Sequence, residues 1–329
     1  MQYKAIKLVK RPNPDITADI FETVSLPLPT LEEGQFLVRQ THMSLDPAMR
    51  TWLDEYDDSY MPPVALGEIM RSFGVGEVPE SHNPAYPVGA RVLGSTGWAE
   101  YVLGGPGMRV VPKELPVGDL LGALHLPGLT AYLGLMEIGR PKAGETLVVT
   151  GAAGSVGSLV GQIGKAEGLR VIGFAGSDEK CAWLEQELGF DKAINYRTAD
   201  LAAELKAAAP NGVDLFFENT GGPVQDVVFQ QMNRLGRIVV CGVIADYNRD
   251  KPSPGPNWKE INLKGLRVEG FVVPDHYDKF ERMSEALLGY LQRGQLRYRL
   301  HTLKGLESAV DGINMLFDGR NQGKLLVEL

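Results

Sequence analysis

Two cysteines in 329 residues, Cys181 and Cys241, are too few for a disulfide framework and fit a reducing cytoplasm. No cysteine precedes residue 181, so neither a four-cysteine structural metal site nor a Cys/His catalytic one can be assembled there. His42 and His82 stand alone without ligand spacing. No metal is expected to serve there as a Lewis acid, and hydrogen-bond donors would have to carry that role. Positive charge is also short. The 33 Lys and Arg against 41 Asp and Glu leave a net charge of −8 with no basic run, which argues against a nucleic-acid binder. The longest apolar stretch, "LLGALHLPGLTAYLGLMEIG", carries His125, Pro127 and several glycines and makes a poor membrane span. "MQYKAIKLVKRPNP" has no apolar core before its prolines and does not read as a signal peptide. There is no internal repeat and no low-complexity tract.

What is present is a change of texture near residue 119. Residues 1–118 are rich in Pro and Gly, with short alternating segments such as "QFLVRQTHMS" (35–44) and "AEYVLGG" (99–105). These predict antiparallel β structure with long loops. Beyond them, "TLVVT" (146–150), "RVIGFA" (170–175), "KAINY" (192–196), "VDLFFEN" (213–219), "GRIVVCG" (236–242) and "LRVEGFVV" (266–273) read as buried strands. Helix-length segments separate them. That succession predicts an α/β fold with a doubly wound parallel sheet over 119–295. The tail "KLLVEL" (324–329) follows a helix expected at 305–318. Its return to the first domain would make that domain discontinuous, 1–118 plus 296–329.

"TLVVTGAAGSVG" (146–157) joins a β-branched run, a glycine turn and the start of a helix. Val156, Leu159, Val160 and Ile163 form an apolar stripe facing a sheet, and Gly157, Gly161 and Gly164 would allow close approach. Free backbone N–H groups and the helix dipole would converge on a phosphate. The spacing is G-x-x-G-x-x-G rather than G-x-G-x-x-G, so a turn kept for packing is the competing reading. In the second strand, Ala175, Gly176 and Ser177 occupy the place where an NAD site needs an acid for the ribose hydroxyl. Asp178 and Glu179 follow, but Ser177 is a plausible helix cap and acids suit a first helical turn. Lys180 shares that turn, where the dipole disfavours a cation. A neighbouring 2′-phosphate would explain it, and a solvated lysine is the alternative. The preferred cofactor is NADPH.

These stretches, with "MSLDPAMR" (43–50), "LGEIMRSFGVGEV" (66–78), "LPGLTAYLGL" (126–135), "GSDEK" (176–180), "ENTGG" (218–222), "CGVIADYN" (241–248) and "GFVV" (270–273), resemble the zinc-independent medium-chain dehydrogenase/reductase superfamily. Within it the chain is similar to the leukotriene B4 dehydrogenase family, which includes prostaglandin reductases, 2-alkenal reductases and curcumin reductases. The resemblance spans essentially the whole chain. It implies a GroES-like, mostly β substrate domain and a Rossmann cofactor domain. It also implies NADPH-dependent reduction of a carbon–carbon double bond conjugated to a carbonyl, in a small-molecule enal or enone.

That reaction builds negative charge on the carbonyl oxygen and needs a neutral donor there. The resemblance assigns the role to Tyr247, which lies just past a strand's C-terminal end. A tyrosine packing its own loop is the alternative. The resemblance also implies that Gly154, Ser155, Val156 and Gly157 line the pyrophosphate, and that Lys180 and Tyr196 meet the 2′-phosphate. Asn219, Cys241, Gly242, Val243, Ile244, Phe271, Val272, Val273 and Asn321 complete the implied cofactor contacts, with Phe271 to Val273 also readable as plain strand. Tyr60 matches a tyrosine at the substrate mouth, or is a surface aromatic. Ala48 stands where many relatives carry an aromatic, which implies a wider pocket. Two rivals share the cofactor fold: a quinone reductase, and an NADPH-binding protein without turnover. The last strand, 266–273, would leave an open edge, so a homodimer pairing that strand across a two-fold axis is expected.

Overall fold

The computed structural model describes residues 1–55, 60–249, 251 and 253–329. Two compact units divide the chain, Met1–Leu121 with Leu300–Leu329, and Gly122–Arg299. The first is β-rich. β1 (Gln2–Leu8) and β2 (Phe21–Pro27) form an antiparallel pair. β3 (Phe36–Ser44), β4 (Arg71–Ser81), β5 (Arg91–Gly97), β6 (Tyr101–Leu103) and β7 (Arg109–Val110) pair antiparallel in a larger sheet. Trp52 and Trp98 lie at its core with Ile6, Leu8, Met43 and Val327.

The second unit opens with α1 (Leu126–Tyr132) and then alternates. In order come β8 (Thr146–Val149), α2 (Ser155–Ala166), β9 (Arg170–Ala175), α3 (Asp178–Gln186), β10 (Lys192–Asn195) and α4 (Leu201–Ala208). β11 (Val213–Glu218), α5 (Pro223–Gln231), β12 (Met232–Val240), α6 (Trp258–Lys264), β13 (Arg267–Gly270) and α7 (Phe280–Gln292) follow. The six strands run in the order β10-β9-β8-β11-β12-β13, each pair parallel. This is the Rossmann arrangement, whose strand order reverses between β8 and β11. Period-2 side-chain alternation feeds two cores: Leu147, Val149, Leu215 and Phe217 enter one, and Val148 and Phe216 the other.

α2 is buried continuously from Gly157 to Gly164. Leu159, Val160 and Ile163 fill the core as their spacing predicts, while Val156 is only half-buried. The glycines pack as well. A Cβ at Gly164 would stand 2.8 Å from Leu147 of β8, and one at Gly161 would stand 1.9 Å from the Phe190 ring.

The last strand departs from its predicted span of 266–273. β13 stops at Gly270, opposite Val240, and its residues alternate between half-buried and exposed rather than being buried. It is the sheet's edge, so only one flank is covered, and Val268 is 40% exposed. Phe271 and Val272 have no strand partner, and Val273 opens a 3-10 segment, Val273–Lys279, containing Pro274. No described helix is long and apolar enough to cross a membrane.

The chain then returns to the first unit with β14 (Leu300–Lys304), α8 (Ser308–Asp318) and β15 (Lys324–Glu328). β15 pairs antiparallel with β3 and parallel with β14, completing a sheet in the order β14-β15-β3-β4-β5-β7.

Candidate active site

The turn after β8 is built to bring backbone close to a ligand. Gly151 has φ +58°, a left-handed conformation that a side chain would strain. A Cβ on Gly157 would lie 2.4 Å from the Gly151 carbonyl oxygen and 2.8 Å from Ala152 Cα, so this position accepts no side chain. Gly154 is the N-cap of α2, and no side chain caps that end. The first-turn N–H groups, which include those of Ser155, Val156 and Gly157, therefore lack an intrahelical or side-chain partner. Gly154, Ser155 and Val156 are half-buried around this end. The arrangement fits an anionic phosphate.

At the end of β9, Ser177 caps α3, its Oγ accepting the Lys180 N–H at 3.3 Å. Asp178 and Glu179 point outward in the first turn, and Asp178 accepts a hydrogen bond from Asn195 at 2.7 Å. They act as helix-end acids. The backbone beside the cap is enclosed by β10's end: a Cβ at Gly176 would stand 2.9 Å from the Tyr196 hydroxyl and 3.4 Å from Arg197 Nε. Arg197 also lies over the Tyr196 ring, 5.9 Å from its centroid. Lys180 is half-buried, whereas Tyr196 is 40% exposed. Arg197 is a second cation at this place that sequence reasoning missed, although its adjacency to Tyr196 was a usable signal.

The ends of β8, β11 and β12 are knotted through Glu218. Its carboxyl accepts the Thr150 hydroxyl at 2.5 Å and the Thr220 N–H at 2.6 Å. Its backbone carbonyl accepts the N–H groups of Cys241 and Gly242 at 2.9 and 3.2 Å. Burial pushes the carboxyl above the usual range, against the opposing pull of those hydrogen bonds. Burial and the neighbouring Glu218 push the Cys241 thiol up to about 12. Asn219 donates its side-chain N–H to the Thr150 carbonyl at 2.8 Å, and its own carbonyl accepts the Ile244 N–H at 3.3 Å. Val243 precedes the short 3-10 turn Ile244–Asp246 that delivers Tyr247. The Tyr247 hydroxyl folds back over Gly242, 3.1 Å from where a Cβ would stand. Cys241, Gly242, Val243, Ile244 and Tyr247 are all half-buried at the sheet's carboxyl edge. Open α/β sheets place ligands along that edge. A glutamate inside an apolar strand, "VDLFFEN", was the overlooked signal for the knot.

Phe271 and Val272 are half-buried after β13, and Val273 is buried. In the first unit, Tyr60 is 43% exposed. Ala48 sits in the 3-10 turn Pro47–Trp52, packed on that unit's core. Asn321 donates to the Gly323 carbonyl at 3.3 Å, just before β15. Among the described residues no group of three or more His, Cys, Asp or Glu could hold a metal ion.

Residues 4–111 match the family model described as the N-terminal domain of oxidoreductase, and residues 155–289 match the one described as zinc-binding dehydrogenase. The chain is 40% identical to prostaglandin reductase 1 of Bos taurus, covering 94% of this chain and 93% of that protein. It is 38% identical to the NADP(+)-dependent 2-alkenal reductase of Nicotiana tabacum, covering 93% of this chain and 90% of that one. The crystal structure of CurA from Vibrio vulnificus in complex with NADPH superposes with a TM-score of 0.94 at 38% identity, covering 99% and 98%. The chain belongs to the leukotriene B4 dehydrogenase family of medium-chain dehydrogenases/reductases. It is an NADP-dependent oxidoreductase. No cysteine precedes Cys181, so a Cys/His zinc site cannot be assembled from the residues before it. NADPH does fit: an uncapped helix N-terminus lies beside glycines that admit no side chain.

Proposed function

We propose that the enzyme uses NADPH, without a metal, to reduce the carbon–carbon double bond of α,β-unsaturated aldehydes and ketones. The observation that carries this reading is the Tyr247 hydroxyl, folded over Gly242 at the carboxyl edge of the cofactor sheet. Bound NADPH would supply a hydride to the β-carbon of the substrate. Negative charge then collects on the carbonyl oxygen as an enolate. Tyr247 donates a hydrogen bond to that oxygen while staying neutral, and the bond strengthens as charge develops. Protonation of the α-carbon completes the reduction. Burial at this edge disfavours the charged forms of both Glu218 and Cys241.

The remaining roles follow position. Gly154 to Gly157 would hold the pyrophosphate, and Lys180, Tyr196 and Arg197 the 2′-phosphate. Asn219, Cys241 to Ile244, and Phe271 to Val273 would border the nicotinamide end, with Asn321 reaching the cofactor. Tyr60 would line the substrate mouth. The likeness to the 2-alkenal reductase of Nicotiana tabacum supports the substrate class. The same reading includes a homodimer through the open edge of β13 and a cytoplasmic setting, which its free cysteines fit.

The deciding experiment is an NADPH-oxidation screen across enals, cyclic enones, arylidene ketones and quinones, with products identified by NMR. Saturated aldehydes or ketones as the main products support the proposal. Turnover confined to quinones, or none at all, overturns it. Light scattering tests the dimer, and a monomer at working concentration removes it. Activity lost to a chelator and restored by zinc would reverse the metal-free assignment.

A further inference from the structure

The first unit contains a buried ion pair that none of these steps uses. Lys324, the first residue of β15, is 2% exposed, and Asp46, just past β3, is 5% exposed. The Lys324 ammonium donates to Asp46 Oδ1 at 2.8 Å and to the Leu45 carbonyl at 2.9 Å. The other carboxylate oxygen accepts the Ser44 hydroxyl. The Ser44 carbonyl in turn accepts the Ser72 hydroxyl at 2.8 Å, which ties in β4. Both charges are thus fully engaged away from water.

A buried pair of this kind is a poor route to net stability. Desolvation offsets the attraction, and apolar replacements of similar size are often equally stable. Direction is what it supplies. Asp46 precedes the turn that carries Ala48, and its carbonyl accepts the Met49 N–H at 3.0 Å. Lys324 follows Gly323, whose φ of +68° closes the segment bearing Asn321. One contact therefore joins the base of the Ala48 turn to the base of the Asn321 segment, across 278 positions of sequence.

We propose that the Asp46–Lys324 pair is a positioning device that sets the Ala48 turn against the Asn321 segment, so that substrate-size selection and cofactor grip are adjusted together. The proposal rests on the reading that Ala48 borders the substrate and Asn321 the cofactor. Apolar residues could hold the two strands together, but they would leave the angle between the segments free to vary. A misplacement of about 1 Å can cost about 100-fold in rate, so such freedom would be felt in turnover.

The test is the double variant Asp46→Leu/Lys324→Met, assayed well below its unfolding temperature. It is expected to unfold near the parent's temperature. Its kcat/KM on enones should nevertheless fall by about 10- to 100-fold. The ratio of kcat/KM between a bulky arylidene ketone and a short enal should flatten, and NADPH should bind more weakly by fluorescence titration. A merely structural pair would leave both the ratio and the cofactor affinity unchanged. Parent values for both in the folded double variant overturn the proposal. Should that variant not fold, Ser44→Ala keeps both charges and removes one hydrogen bond to Asp46. It should shift the same ratio in the same direction by about 2- to 10-fold, and an unchanged ratio again overturns the proposal. Ala48→Phe and Asn321→Ala in the parent separate the causes. If they alter size preference and NADPH affinity while the pair variants do not, the positioning role alone has failed. If they too are silent, the underlying site reading has failed with it.

Discussion

The two ends of the cofactor sheet's carboxyl edge handle charge in opposite ways. At the β9–β10 end, Arg197 stands against Gly176 beside a tyrosine that is 40% exposed, and a half-buried Lys180 lies in the first turn of α3. At the β11–β12 end, a wholly buried glutamate is held toward its neutral form, and a thiol is pushed up to about 12. The contrast follows from what each end would do. Anchoring a phosphate needs fixed cations, which water near the surface tolerates. Stabilising charge that exists only during the reaction needs neutral donors in place beforehand, in surroundings poor in water. On the proposed function, binding and chemistry would be separated along one sheet edge.

The sharpest way to break this comparison is at the neutral end. Tyr247→Phe should lower kcat on enones by about 10- to 100-fold with little change in NADPH affinity. Steady-state kinetics with deuterated cofactor, to confirm that hydride transfer limits the rate, check this. An unchanged kcat would place the donor elsewhere, with Tyr60 next to test. The cationic end should respond in the opposite sense. Lys180→Ala and Arg197→Ala should each weaken NADPH by about 10-fold while leaving NADH and kcat nearly unaffected, since charge-assisted hydrogen bonds contribute about 1.5–3 kcal/mol. Titration with 2′,5′-ADP isolates that end, and added salt should weaken it further. Equal losses for both nicotinamide cofactors would show that these cations only support the fold.

Two smaller effects concern stability. The Glu218 carboxyl is raised in the folded protein, so the native state keeps a proton that the unfolded chain releases. Stability should therefore fall as pH rises from the ordinary carboxylate range toward the raised value, by at most about 1.4 kcal/mol per pH unit. Glu218→Gln removes the titration and should flatten that slope in urea melts run across pH. A slope identical to the parent's would mean that Glu218 is ionised in the fold. Ser177→Ala should cost about 1 kcal/mol through the lost cap of α3, seen as a small drop in urea midpoint. It should leave the Tyr247-dependent step alone, and a matching fall in kcat would link the two ends of the sheet.

Much of the fold was legible because apolar periodicity is a local property. The strand–glycine–helix passage from Thr146 to Ala166, the Ser177 cap and the alternation of strands and helices were all visible in residue order. The end of β13 was not. "GFVV" has the composition of a buried strand, but pairing stops at Gly270, opposite Val240, and the edge leaves the strand half-exposed. Composition does not reveal where a neighbouring strand ends. Arg197 was missed for a related reason. It follows β10, and only the parallel pairing of β10 with β9 brings it to Gly176.

The sequence by itself determined the classes of structure and the chemistry available. Spacing of apolar residues, glycines at a strand end, a missing acid after β9 and a missing set of cysteine ligands are all readable without coordinates, because each depends on neighbours along the chain. Only the tertiary structure decided which distant groups share an environment. It joined Thr150, Glu218 and Cys241, and it paired Asp46 with Lys324 inside the first unit. Burial and electrostatic coupling depend on distance through space, and the sheets bring together residues that the chain keeps far apart.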